Sequence, residues 1–196
     1  MLRALPALFD QLATHNHVPG AQFTLYHDGR LLELVAGVEH IHRRTPVTSR
    51  SRFALGSVSK VITAAAVMQL LEDGDVDLDA PVARFLPRAL AGDATAGAIT
   101  LRQLLSHTSG LVADHIDGAE TPDSSLRKQA ASVLAEDLVS RPGSTFSYSN
   151  SGYSLVGYVI EAVAGRSWWD TMQSYLFDPC DLDLAFIGDP RDGAQQ

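Results

Sequence analysis

Residues 53–67 read FALGSVSKVITAAAV, and they put Ser57 three positions ahead of Lys60 at the mouth of an apolar run. The chain carries two lysines against 13 arginines, so a lysine in this position calls for a reason. Residues i and i+3 of a helix share a face, with Cβ atoms about 5–6 Å apart. A serine hydroxyl is a weak nucleophile and needs a base beside it. A lysine can serve as that base once burial disfavours its ammonium. Val61, Ile62, Ala64 to Met68, Leu70 and Leu71 predict a helix from about Ser57 to Asp73, apolar all round and therefore buried, with Gly74 as its stop. At such a helix start, Ser57 also lies beside free backbone N–H groups able to stabilise an oxyanion. The competing reading is that both are ordinary helix-start residues.

Spacing alone does not decide between them, because Ser-x-x-Lys occurs twice. Ser125 and Lys128 repeat it in PDSSLRKQAASVLAEDLV. There Pro122, Asp123 and Ser124 read as helix-start residues, and the helix expected over 123–139 is amphipathic, which turns Lys128 to water. The apolar setting separates the two copies and favours Ser57.

Working outward, Leu2, Leu5, Leu8, Phe9 and Leu12 recur at helical spacing and predict a first helix to about Thr14. In AQFTLYHDGRLLELVAG, two strand-forming runs flank Asp28-Gly29, a hairpin signal. Residues 38–52 are polar and read as loop. DGDVDLDAPVARFLP is turn-rich, and its alternating acids invite a calcium reading counted from Asp73. That reading fails because Leu78 and Arg84 stand where the loop needs Gly and Glu. Thr100 caps a short helix ended by Gly110, residues 151–164 form a buried helix closed by Gly165, and Ser167 caps a last helix to about Phe177. The final DLDLAFIGDPRDGAQQ offers one short strand at most. Two strands near the start cannot stand alone, so the chain is expected to be incomplete as a functional unit.

Composition narrows the classes. The 196 residues are 45% hydrophobic and 19% charged with net charge -8, ordinary for a globular chain. The arginines are scattered, so no basic stripe invites nucleic acid. Cys180 is the lone cysteine, which rules out an internal disulfide. The N-terminal run is cut by Pro6 and Asp10 and does not read as a signal peptide, no run reaches membrane-spanning length, and a cytoplasmic location is expected if Met1 is the native start.

A second motif lies in RPGSTFSYSNSGYSLVGY. Tyr148 and Asn150 sit in a loop directly before the buried helix. A tyrosine near a lysine can act as general base and acid, and an Asn amide can hydrogen-bond a substrate carbonyl. By themselves they read first as a packed Tyr and an N-capping Asn. Ser57-Val58-Ser59-Lys60 and Tyr148-Ser149-Asn150, with ITLRQLLSHTSGL between them, together resemble the serine β-lactamase and penicillin-binding protein superfamily, in its class C β-lactamase, DD-peptidase and esterase branch. The resemblance runs from about Ala21 to Phe177. It implies an α+β fold, with a helical domain packed on an antiparallel sheet flanked by helices.

The resemblance also implies roles. Ser57 becomes the acylated nucleophile, Lys60 its base partner, Tyr148 the proton shuttle and Asn150 the substrate-orienting residue, with no metal and no cofactor. Residues 1–52 would give the first helix and two sheet strands, 53–176 the helical part with both motifs, and 177–196 the start of the return to the sheet. Tyr148 at the head of the second motif points away from class A β-lactamases, which have Ser there. The family's third motif, Lys-Thr-Gly or a His-containing variant, is absent: no Lys follows Lys128 and no His follows His115. The second oxyanion donor would then have to come from a missing C-terminal segment or another chain. The expected function is a serine hydrolase or acyltransferase acting on a small-molecule or peptide ester or amide, of esterase, β-lactamase or D-amino-acid peptidase type. The alternative is a non-catalytic binding module or inactive fragment. His107 is read as structural, its ring bonding nearby backbone; the pairs His15/His17 and His40/His42 lack a motif-linked third ligand; Trp168 and Trp169 are read as packing residues, with a substrate wall left open.

Overall fold

A computed structural model describes residues 4–114 and 125–184. The chain divides into two compact units, Met1–Ala54 and Leu55–Gln196.

The first unit is a helix on a small sheet. Helix α1 (Leu5–His15) carries Pro6 in its first turn, where its fixed φ suits the helix. Strands β1 (Gly20–His27) and β2 (Arg30–His40) form the expected hairpin, antiparallel with Phe23 opposite Leu34 and Leu25 opposite Leu32. Asp28 (φ 49°) and Gly29 (φ 73°) make the turn with left-handed backbone at both positions, the geometry that matches strand twist. Partners across the pair share a face, and α1 covers the Phe23 face, with the Phe9 and Phe23 rings 6.1 Å apart. Residues 38–52 are not all loop. Strand β2 runs on to His40, and β3 (Thr45–Pro46) pairs with it antiparallel across a register irregularity between Val38 and His40. The described sheet thus has three strands, ordered β1-β2-β3. Two residues are too few to show a period of two, and a proline on an edge strand hides the rest of the signal.

The second unit is helical. After a 3-10 turn (Gly56–Val58) come α2 (Ser59–Glu72), a 3-10 turn at Val82–Phe85, and the short helices α3 (Arg88–Ala91), α4 (Ala94–Ala98) and α5 (Leu101–Leu105). Then follow α6 (Leu126–Leu134), α7 (Asn150–Ala164) and α8 (Trp168–Met172), with a π-helical turn over Gln173–Phe177. Helix α7 is the axis of the core. Its Leu155, Val156, Val159 and Ile160 pack among Ala66, Val67 and Leu70 of α2, Leu104 of α5, Val133 of α6 and Met172 of α8. Each large side chain buried there contributes on the order of 1.5–3 kcal/mol. Caps fix the ends: Thr100 and Gln103 form a reciprocal capping box on α5, and Ser167 accepts the Asp170 N–H at the start of α8.

Helix α2 departs from expectation. It buries Thr63, Ala66, Val67 and Leu70, a single face at i, i+3, i+4 and i+7, while Val61 is 69% exposed and Met68 and Leu71 lie at the surface. An all-apolar run cannot say which of its faces a neighbour covers. Helix α6 is shorter than the expected 123–139, and residues 123–124 lie outside those described, as does most of the stretch 181–196 with its expected strand. In the acidic connection, Asp79 receives two hydrogen bonds from the Arg102 guanidinium, at 2.6 and 2.8 Å, and this partner holds its carboxyl below the usual range. Among the described residues no helix is long and apolar enough to cross a membrane.

Candidate active site

Four side chains from two distant segments meet at the start of α2. Ser57 lies in the 3-10 turn, and Lys60 follows one turn later in α2 with its Nζ 3.5 Å from Ser57 Oγ. Tyr148, in the loop before α7, donates its hydroxyl proton to Ser57 Oγ at 2.7 Å. Lys60 Nζ donates to Asn150 Oδ1 at 2.6 Å and stands 5.0 Å from the centre of the Tyr148 ring and 5.5 Å from that of Tyr153. All four residues expected from the sequence are therefore in one cluster. Lys60 is half-buried rather than enclosed, because the outer face of α2 is open.

Local chemistry accounts for the way the second segment is presented. Capping of α7 falls to Ser149, not Asn150. The Ser149 hydroxyl accepts the Gly152 N–H at 2.9 Å and donates to the Val112 carbonyl at 2.9 Å, and the residue is buried. With the cap filled, the Asn150 side chain turns into the site. Its backbone N–H anchors to the Ala113 carbonyl at 2.8 Å. Its Nδ2 donates to Asp114 Oδ1 at 2.6 Å, which fixes the amide with Oδ1 toward Lys60 and one Nδ2 hydrogen still to spare. Asp114 was not legible in the sequence, since no spacing rule links a loop carboxylate to an amide 36 residues later.

Electrostatics follow from these neighbours. The Lys60 ammonium first, and the Ser57 hydroxyl second, stabilise the Tyr148 phenolate and bring the phenol below its usual value. Burial, with a smaller contribution from Tyr148, pushes the phenol of Tyr153 up. His107 lies against both rings, with centroids 4.3 Å from Tyr148 and 5.2 Å from Tyr153, and burial and then Lys60 press its imidazole below the usual range. Its Nδ1 accepts the Ser149 backbone N–H at 3.1 Å, as a ring bonded to nearby backbone should.

Ser125, the competing serine, caps α6: its hydroxyl accepts the Lys128 N–H at 3.3 Å. The second Ser-x-x-Lys is the start of a helix. A cleft of about 300 Å³ adjoins the cluster and is lined by Lys60, Asn150, Tyr153, Leu126, Gly157 and Trp168 among others. Trp168 thus has both a packing and a cleft-lining position, whereas Trp169 packs on Phe177 at 5.3 Å. Among the described residues no group of three or more His, Cys, Asp or Glu gathers as metal ligands.

A serine hydroxyl bonded to a phenol, with an ammonium at the next turn and an oriented amide beyond it, is an arrangement for acyl transfer through a covalent serine ester. Comparison with known proteins identifies the family. The chain is 40% identical over 177 residues to penicillin-binding protein 4 of Amycolatopsis lactamdurans, covering 89% of this chain and 46% of that protein. The structure of SurE with D-Leu matches with TM-score 0.84 and 44% identity, over 99% of this chain and 44% of that one. A class C β-lactamase of Rhodobacter sphaeroides matches with TM-score 0.73 and 30% identity, over 89% and 48%. The chain spans less than half the length of each of these relatives. The Beta-lactamase family model matches residues 5–196. With that match over nearly the whole chain, the chain belongs to the Beta-lactamase family, a family of serine hydrolases with a mixed fold of helices and antiparallel sheet.

Proposed function

We propose that Ser57 is the nucleophile of a serine hydrolase or acyltransferase that forms an acyl-enzyme from an ester or amide. The observation that carries this reading is the pair of proton carriers on one hydroxyl: Tyr148 Oη at 2.7 Å and Lys60 Nζ at 3.5 Å from Ser57 Oγ. With Tyr148 as phenolate, the hydrogen bond reverses. Ser57 then gives its proton to Tyr148 as Oγ bonds to the carbonyl carbon, and Tyr148 passes that proton to the leaving oxygen or nitrogen as the old bond breaks. The lowered value of the Tyr148 phenol supports this direction of transfer. Lys60 balances the phenolate and holds Asn150, whose second Nδ2 hydrogen is available to the acyl group's carbonyl. The Ser57 backbone N–H, in the 3-10 turn ahead of α2, is the oxyanion donor this mechanism calls for. A water or an amine then attacks the acyl carbon; Tyr148 removes its proton and returns it to Ser57 Oγ as the ester bond breaks. The D-Leu bound to the SurE relative directs the choice of test substrates to acyl groups and acceptors built on D-amino acids.

Labelling tests the reading. The chain is treated with a fluorophosphonate and with a labelled β-lactam, and the adduct is mapped by mass spectrometry. An adduct on Ser57 that disappears in Ser57→Ala is expected. Label retained by the alanine variant, or found on Ser125, would sink the mechanism. Failure of every probe over a range of pH would favour a non-catalytic binding module.

A further inference from the structure

His107 grips the residues on both sides of Tyr148. Its backbone carbonyl accepts the Ser147 N–H at 2.8 Å, and its Nδ1 accepts the Ser149 N–H at 3.1 Å. Between those two bonds the imidazole lies on the Tyr148 ring, 4.3 Å between centroids and tilted by 33°. The remaining sides of the ring meet Tyr153 at 5.2 Å and Phe146 at 5.9 Å. His107 holds this position with a left-handed backbone, φ 58°, a conformation uncommon for a non-glycine residue and retained where surrounding contacts over-determine it. No other side chain bonds the backbone on either side of Tyr148 among the contacts described above, and Tyr148 in turn touches Ser57.

The Ser149 bond requires an unprotonated Nδ1, so the imidazole is neutral with its proton on Nε2. We propose that His107 is the positioning residue for Tyr148, and that protonation of its Nδ1 releases the Ser147–Ser149 segment and disables the site in acid. A protonated Nδ1 would turn a donor toward the Ser149 N–H and set a second cation beside Lys60. The titratable groups that face the imidazole are Lys60 from α2, Tyr148 from the loop and Tyr153 from α7; the Tyr153 hydroxyl is committed to the Leu105 carbonyl at 3.2 Å. Burial and Lys60 both favour the neutral ring, which keeps the clamp closed at neutral pH. The catalytic consequence rests on the reading of Tyr148 as proton carrier; the clamp itself does not.

The test pairs NMR of the whole chain with the rate of fluorophosphonate labelling against pH. The imidazole nitrogens should report an unprotonated Nδ1 at neutral pH, and the Ser149 amide should shift with the same midpoint as the His107 ring. Labelling should fall in acid with that midpoint. His107→Asn keeps an acceptor at the same position and tolerates left-handed backbone. It should label within about threefold of the native rate at neutral pH and lose the limb at the His107 midpoint, keeping only the limb set by the Tyr148 phenol. His107→Phe keeps a ring but no acceptor, and should label roughly 10- to 100-fold more slowly, the scale of a small misplacement at a reacting centre. A protonated Nδ1 at neutral pH, a Ser149 amide indifferent to the His107 titration, or a His107→Asn profile with the native acid limb would overturn the proposal. If His107→Phe does not fold, the native titration and the Asn variant decide it. Absence of any label on Ser57 refutes the acyl-enzyme reading instead, while the amide titration still judges the clamp.

Discussion

Gly110→Ala isolates the backbone contact on which the site's second segment rests. Gly110 has φ 81°, and an added Cβ would fall inside the van der Waals sphere of the Ser140 carbonyl oxygen, 3.1 Å from its carbon and 3.3 Å from Ser140 Oγ. Left-handed backbone costs an alanine about 1–2 kcal/mol. The overlap is with main chain, which no rotamer change relieves, so the two strands of loop must part. That weakens the 2.8 Å bond from the Val139 N–H to the Gly110 carbonyl, worth about 1 kcal/mol. It also disturbs the packing of Leu111 and Ser109, both nearly inaccessible, at a further cost of about 1–3 kcal/mol. The total is about 3–6 kcal/mol against a typical stability of about 5–15 kcal/mol. Urea unfolding followed by tryptophan fluorescence reads this directly, because Trp168 and Trp169, the only two tryptophans, both belong to the unit that contains Gly110. Gly97→Ala is the control. It lies in α4 with open space around its Cβ and should gain up to about 1 kcal/mol. A Gly110→Ala protein within about 1 kcal/mol of the native chain would refute the reasoning. The site should suffer too, since the carbonyls of Val112 and Ala113 anchor Ser149 and Asn150.

Ser125→Ala should lose an N-cap, about 1 kcal/mol by thermal or urea unfolding, and leave labelling at Ser57 unchanged; a labelling rate cut more than about threefold would contradict its purely structural role. Lys60→Met should move the Tyr148 phenol up toward its ordinary value of about 10, followed through the ring carbon resonances. The sign for stability follows: a lowered phenol binds fewer protons folded than unfolded, so the native chain should gain stability as pH rises from the lowered value to the ordinary one, and Lys60→Met should gain less, since only the Ser57 hydroxyl remains to lower it. A phenol that titrates identically in both proteins would show that Lys60 is not what lowers it.

Legibility in the sequence tracked how local each feature is. The hairpin at Asp28-Gly29, the capped start at Thr100 and the stop at Gly165 depend on residues within a few positions of one another, and the structure has each of them. Strand β3 depends on a two-residue pairing with β2 and left no periodic trace. The exposed face of α2 is hidden in the sequence for a related reason. A run with no polar face has no moment to aim it, so only the neighbours α7 and α8 select the face formed by Thr63, Ala66, Val67 and Leu70.

The site divides along the same line. Ser57 and Lys60 are one turn apart, and a helix carries them together without help. Tyr148 and Asn150 are legible through their company with Ser57, not through anything in their own segment, where a packed tyrosine and a capping asparagine are the simpler explanation. What the structure adds is the division of labour that frees them: Ser149 takes the cap, Asp114 takes one amide hydrogen of Asn150, and His107 takes the backbone beside Tyr148. Each of these three bonds spends a local hydrogen-bonding group on fixing orientation, so that the phenol and the amide carbonyl are left facing Ser57 and Lys60. A packed tyrosine and a capping asparagine would have satisfied those groups themselves. The supporting residues therefore discriminate between the structural and the chemical reading of the motif more sharply than the motif residues do.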